Sequence, residues 1–160
     1  MKALRNVLDK LIMFVGCTFT IIMVVGAIWQ VFSRYVLGSP STVTEELLRF
    51  GLIWTAMLGA SYAFGTNKHL AITAMVDKLK GSNGKVIRVI NTLFIVGFSG
   101  LVMIKGGLNL VSSTMSQVTP ILQVPVGVIY SILPISGVII ILYQIMNITD
   151  WMKNGEEALK

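Results

Sequence analysis

Apolar residues run through this chain in long blocks, without the alternation of half-buried strands or the one-sided stripes of soluble helices. No Asp, Glu, Lys or Arg interrupts Leu11–Ser33, Phe50–Asn67, Val89–Ile104 or Gly106–Thr149. A helix needs roughly 20 apolar residues to cross the hydrocarbon of a bilayer, so the pattern predicts four membrane spans, at about 11–33, 44–66, 86–111 and 125–148. Arg34 and Tyr35 close the first span where an interface belongs, and Gly38-Ser39-Pro40-Ser41 reads as the turn beyond it. Thr42-Val43-Thr44-Glu45 has capping-box spacing, with the Thr42 hydroxyl accepting from the first turn and Glu45 reaching back. Glu45 and Glu46 also set negative charge at the positive end of the helix dipole. Pro125 suits the first turn of the fourth span. Pro134, in its middle, removes the bond to the Tyr130 carbonyl and predicts a kink, with Ser131 placed to satisfy part of what is freed.

Between the second and third spans, Ile72, Met75, Val76 and Leu79 recur at i, i+3, i+4 and i+7, while Asp77, Lys78 and Lys80 fall on the other side. That spacing predicts a short amphipathic helix over residues 70–80, lying at the membrane interface.

Composition sharpens the class. Of 160 residues, 54% are hydrophobic and 12% charged, about half the charge typical of soluble domains, so residues 1–160 read as a single all-α membrane domain. The Lys and Arg residues before, between and after the spans number 3, 2, 5, 0 and 2. With both termini cytoplasmic the inside loops hold ten against two, as the positive-inside rule asks. The net charge of +6 therefore belongs to the membrane, not to nucleic acid, since no aromatic-basic interleaving accompanies it. The basic start is followed by an apolar run too long for a signal peptide, and no cleavage pattern follows, so it reads as a retained helix. Lys105 falls within the third span, about 28 Å from its cytoplasmic start at ~1.5 Å per residue, where it can snorkel to the outer interface.

Few residues here could carry chemistry. Arg34, Glu45, Glu46 and Arg49 cluster around the first outer loop. Glu45 and Arg49, four apart, share a helix face, and Arg34 with Glu46 would form a second pair if spans one and two lie side by side. They read as a salt-bridge lock or a subunit contact. Tyr35, Lys68, His69, Asp77, Lys78 and Lys80 read as interfacial. His69 is the only histidine, so no His-rich zinc site is available, and it stands eight residues along the helix from Ser61, too far to serve as its base. Cys17 has no partner in the chain. No metal, cofactor or catalytic residue is expected. Ala56-x-x-x-Ala60, Gly59-x-x-x-Ala63 and Gly97-Phe98-Ser99-Gly100 read as sites of close helix packing.

Several segments, in order, resemble the small membrane subunit, DctQ-like, of tripartite ATP-independent periplasmic (TRAP) transporters: Gln30-Val31-Phe32-Ser33-Arg34-Tyr35, Thr44-Glu45-Glu46-Leu47-Leu48-Arg49-Phe50, Trp54 with Leu58-Gly59-Ala60, and Lys68-His69-Leu70 followed by Asp77. Thr119-Pro120, Pro125 and Leu133-Pro134 look like the family's entry to the fourth span. One departure is Ser41-Thr42-Val43, where a tryptophan is expected. The resemblance implies a bacterial inner-membrane protein that braces a large elevator-type transport subunit in the bilayer and helps dock a periplasmic substrate-binding protein. It also implies sodium-coupled uptake of organic acids such as C4-dicarboxylates or sialic acids, with substrate and sodium held by the partner. The residues alone leave a second reading: a self-sufficient small carrier or channel built as a homo-oligomer.

Overall fold

The computed structural model describes residues 2–66 and 82–154, with side chains over 5–66 and 89–150. The proposed interfacial helix at 70–80, and with it Lys68, His69, Asp77, Lys78 and Lys80, lies outside the described residues. Helix α1 covers Lys2–Tyr35, α2 Thr42–Gly65 and α3 Ser82–Phe98. A π-helical stretch, Ser99–Gly106, leads from α3 into α4, Gly107–Thr114; then come α5, Val126–Tyr130, and α6, Ile132–Asn154. The described residues are thus helical apart from turns and an isolated bridge between Val118 and Pro125. Four segments are long and apolar enough to cross a membrane: Arg5–Tyr35, Thr42–Gly65, Val89–Thr114 and Val126–Asp150.

In space the spans do not follow chain order. The first packs on the second, the second on the fourth, and the fourth on the third. The fourth is the centre of the bundle, with 39% of its most apolar window buried against 6% for the first. Arg5 near the start of α1 meets Asp150 near the end of α6, so the start of the first helix and the end of the last lie at one end of the bundle, here the terminal end. The connections 36–41 and 115–125 form the opposite, loop end.

Close approaches set the register. The Pro134 ring sits against Gly107, where an added Cβ would come within 2.9 Å of its Cδ. One turn on, Gly137 admits both Met103 and Ile104, which the wide π turn brings to it together. These are not the small residues singled out from spacing. Gly59, Gly97 and Gly100 have nothing within 4 Å of a Cβ position, and Ala56 and Ala60 are exposed. Spacing identifies a small-residue face but not its direction: Ala56, Gly59, Ala60 and Gly97 are exposed, whereas Ser99 of the same set is buried, with its carbonyl 3.2 Å from a Cβ built on Gly137.

The fourth span breaks as Pro134 requires, but one turn earlier than the proline, at Ser131. There the Ser131 N–H turns back to the Val128 carbonyl (3.3 Å), and its hydroxyl donates to the same oxygen at 2.6 Å. The expected relief of the freed carbonyl by Ser131 therefore falls on Val128. The indole N–H of Trp54 reaches across from α2 to the Ile129 carbonyl at 3.0 Å. This supplies a donor beside the break, where a lipid-embedded backbone has no water to turn to.

Candidate functional site: polar clusters at the two ends of the bundle

At the loop end the chain leaves α1 through Gly38 in the left-handed region, φ 66°, and enters α2 through Ser41. Ser41 is the cap: its side chain accepts from the Thr44 N–H at 3.4 Å and shares a 2.8 Å hydrogen bond with the Thr44 hydroxyl. The capping box read at Thr42 thus shifts by one residue, because Ser41 and not Thr42 holds the extended conformation a cap needs. Ser33, buried under the turn, donates to the Gln30 carbonyl and accepts from the Ser41 N–H, tying the end of α1 to the start of α2.

Glu45 and Arg49 pair at 3.5 Å along the exposed face of α2, a contact that water screens heavily. Glu46 behaves differently. It is buried, and its Oε2 accepts from the Leu122 N–H at 2.8 Å, so it clamps the 115–125 loop and makes no pair with Arg34. The reason is rotational. Thr44, Leu48 and Gly51 face α1, where they meet Gly26 and Met23; Glu46, two residues from Thr44 and from Leu48, falls on the far side of the helix. Arg34 and Tyr35 are exposed at the loop end. Within the clamped loop the buried Thr119 accepts from the Val124 N–H through its hydroxyl, and Gln123 is held at φ 55°. A side chain in that region costs on the order of 1 kcal/mol, which the surrounding bonds must offset.

The terminal end holds a second cluster, absent from the residues singled out by sequence. Tyr143, fully buried in α6, donates its hydroxyl to Asp9 Oδ1 at 2.6 Å. Arg5, one turn before Asp9, donates to the Gly65 carbonyl at 2.7 Å and pairs with Asp150 at 3.4 Å. A cation at the carbonyl end of α2 is favourable for the helix dipole as well as for the bond. Asn147 adds a contact to the Phe64 carbonyl at 3.4 Å. Gly65 leaves room for the clasp: a Cβ there would lie 2.6 Å from the Tyr143 ring. Ile12, Tyr143 and Met146 form the buried apolar cluster beneath, with Leu8, Tyr62 and Ile139 against it. The sequence does carry a faint signal, since Arg5 and Asp9 stand four apart and Asp150 follows directly on a charge-free run.

The clasp has a measurable expectation. Asp9→Ala and Tyr143→Phe should each lower unfolding stability, and the double variant should lose less than their sum. The coupling should be about 0.6 kcal/mol, with ~1.7 as the upper range for interhelical hydrogen bonds in membrane bundles. Strict additivity in detergent unfolding would show that the two groups do not work together.

All four carboxylates among the described residues are thus engaged within the chain: Asp9 by Tyr143, Asp150 by Arg5, Glu45 by Arg49 and Glu46 by the Leu122 amide. Among the described residues, no group of three or more His, Cys, Asp or Glu side chains is placed to hold a metal. Four apolar spans, with the described acids paired near the helix ends, define an integral membrane component. The family model for the DctQ component of tripartite ATP-independent periplasmic transporters matches residues 23–154, and the chain belongs to that family. It is a multi-pass membrane subunit of a transporter and not an enzyme.

A small permease assigned to a TRAP transporter in Haemophilus influenzae is 26% identical over 140 residues, which is 88% of this chain and 86% of the relative. The sialic acid TRAP transporter small permease protein SiaQ of Vibrio cholerae is 27% identical over 79 residues, 49% of this chain and 46% of that protein.

Proposed function

We propose that this chain braces the large transport subunit of a sodium-coupled TRAP system in the bacterial inner membrane. Both termini lie in the cytoplasm, and the loop end is periplasmic. The large subunit carries the substrate and sodium sites. The cargo is an organic acid, such as a C4-dicarboxylate, a sialic acid or a similar carboxylate; the sialic acid permease among the relatives supports that class. The loop end, with exposed Arg34, Tyr35 and the Glu45–Arg49 pair around the buried Glu46 clamp, offers a surface to the periplasmic substrate-binding protein.

The observation that carries this reading is the engagement of every described carboxylate in structural bonds. Ion coupling within a membrane protein relies on ionisable or carbonyl ligands facing a path, whereas these acids sit at the two ends of the bundle, Asp9, Asp150 and Glu46 as clamps and Glu45 in an exposed pair with Arg49. The outward small-residue face of α2, at Ala56, Gly59 and Ala60, supports contact with a neighbouring helix, because small residues let backbones approach closely.

The test is to tag the chain, extract it gently from its native membrane and identify what co-purifies. A large multi-span protein at about one to one is expected, with organic-acid uptake in liposomes requiring the pair, a sodium gradient and the binding protein. Arg34→Ala should weaken binding-protein docking or subunit association without altering which acid is carried. Recovery as a homo-oligomer that transports alone would overturn the bracing role.

A further inference from the structure

Between the third and fourth spans the surface carries an apolar groove of about 320 Å³, walled by Ile104, Leu108 and Val111 on one side and Pro134, Ile135 and Val138 on the other. It lies beside the break in the fourth span, with Ser131 and the Pro134 ring in its lining. Its size falls at the lower end of the ~300–1,000 Å³ that small-ligand sites occupy. The groove offers almost no hydrogen-bonding group. Its one hydroxyl, that of Ser131, is already committed to the Val128 carbonyl at 2.6 Å.

Beside this groove stands Lys105, directly after Ile104 and one turn below Leu108, exposed and without an ion-pair partner among the described residues. No other charged residue occurs from Val89 to Thr149, so this half of the bundle carries a single positive charge on an apolar surface. Lys105 is nine residues from the end of its span at Thr114, ~13 Å at ~1.5 Å per residue. The 26-residue span overreaches a ~30 Å hydrocarbon core, so a lysine stretching along it towards the loop end comes to the level of the headgroups.

We propose that Lys105 and the groove together form a phospholipid site, with an acyl chain lying along Ile104, Leu108, Pro134 and Val138 and the headgroup phosphate facing the ammonium group. Charge complementarity selects the occupant. An exposed cation in an apolar surface needs an anion, and the wall beside it fits hydrocarbon. A carboxylate from a neighbouring protein helix is the other source of negative charge, but acidic side chains within spans are rare, while phosphates surround the whole bundle at this level. A lipid with net negative charge is favoured over a zwitterionic one, since the single lysine then has no competing positive headgroup to repel.

The site rests on the chain's passage through the bilayer and not on its partners, so it stands or falls separately from the bracing role. The chain, reconstituted in nanodiscs of phosphatidylcholine doped with phosphatidylglycerol, would be transferred to mild detergent and weighed intact by native mass spectrometry. Preferential retention of phosphatidylglycerol is expected. Lys105→Gln should reduce that preference about fivefold, the size of one lysine's attraction to an anionic lipid surface, and Lys105→Arg should keep it. Val138→Trp, which fills the groove and leaves the lysine, should lower retention of both lipids. Equal retention of the two lipids by the parent chain, or an unchanged preference in Lys105→Gln, would overturn the site. So would a zero-length cross-link from Lys105 to a carboxylate of a co-purified subunit.

Discussion

Gly127→Ala is expected to destabilise the bundle by about 1–3 kcal/mol or more, the range for forcing extra atoms into a packed contact. Gly127 lies in the five-residue helix α5, which rests against the end of α4. A Cβ at this position would stand 2.6 Å from the Val111 carbonyl oxygen and 3.2 Å from the Met115 Cα. Both are backbone atoms and cannot rotate aside as the nearby Met115 sulfur can. Relief requires α5 to lift off α4, yet α5 is tied down on both sides. The Val126 N–H bonds to the Gln117 carbonyl at 2.8 Å, and the Trp54 indole holds the Ile129 carbonyl. The same methyl at Gly59, where nothing lies within 4 Å, should leave the isolated chain's stability unchanged. Thermal unfolding of both variants in one detergent checks this. Equal midpoints would mean that the close approach of α4 and α5 contributes nothing to the fold.

That contrast marks where the sequence is readable. The four spans are legible because uninterrupted apolar runs have few other stable outcomes, and Gly38, Ser41 and Pro134 punctuate them by local backbone chemistry. Neighbour choice is not local. Hydropathy cannot tell that the fourth span sits between the second and third, because every face of these helices is apolar enough to pack. Gly59 and Gly65 lie on one helix and read alike in the sequence, yet one faces outward and the other receives the Tyr143 ring. The clasp at the terminal end was hidden for a related reason. Arg5 reads only as one of the basic residues before the first span and Asp9 carries no reading at all, whereas α1 begins at Lys2 and holds both inside the helix, where α6 supplies partners for both.

Glu46 illustrates the same point at the loop end and gives the second large expectation. Replacing it by alanine should cost about 1.5–3 kcal/mol, the range for a hydrogen bond to a charged group. It would leave the Leu122 N–H facing a cavity where a carboxylate now accepts at 2.8 Å. The loss should be local before it is global. The 115–125 loop holds Gln123 in the left-handed region and depends on Thr119 and Glu46 for its shape. Without the clamp it should open, and limited proteolysis should cut first between α4 and α5. Glu46→Gln keeps an acceptor oxygen of nearly the same reach, so it should retain loop protection and lose only the part of the bond that depends on charge. The exposed Glu45 provides the control, since Glu45→Ala removes only a solvent-screened pair with Arg49 and should leave both stability and cleavage as they are. A Glu46→Ala chain that resists proteolysis as the parent does would show that the loop holds itself. Opening of the loop in Glu46→Ala, with Glu46→Gln and Glu45→Ala intact, would identify the buried acid as the link through which the start of α2 fixes the loop-end surface.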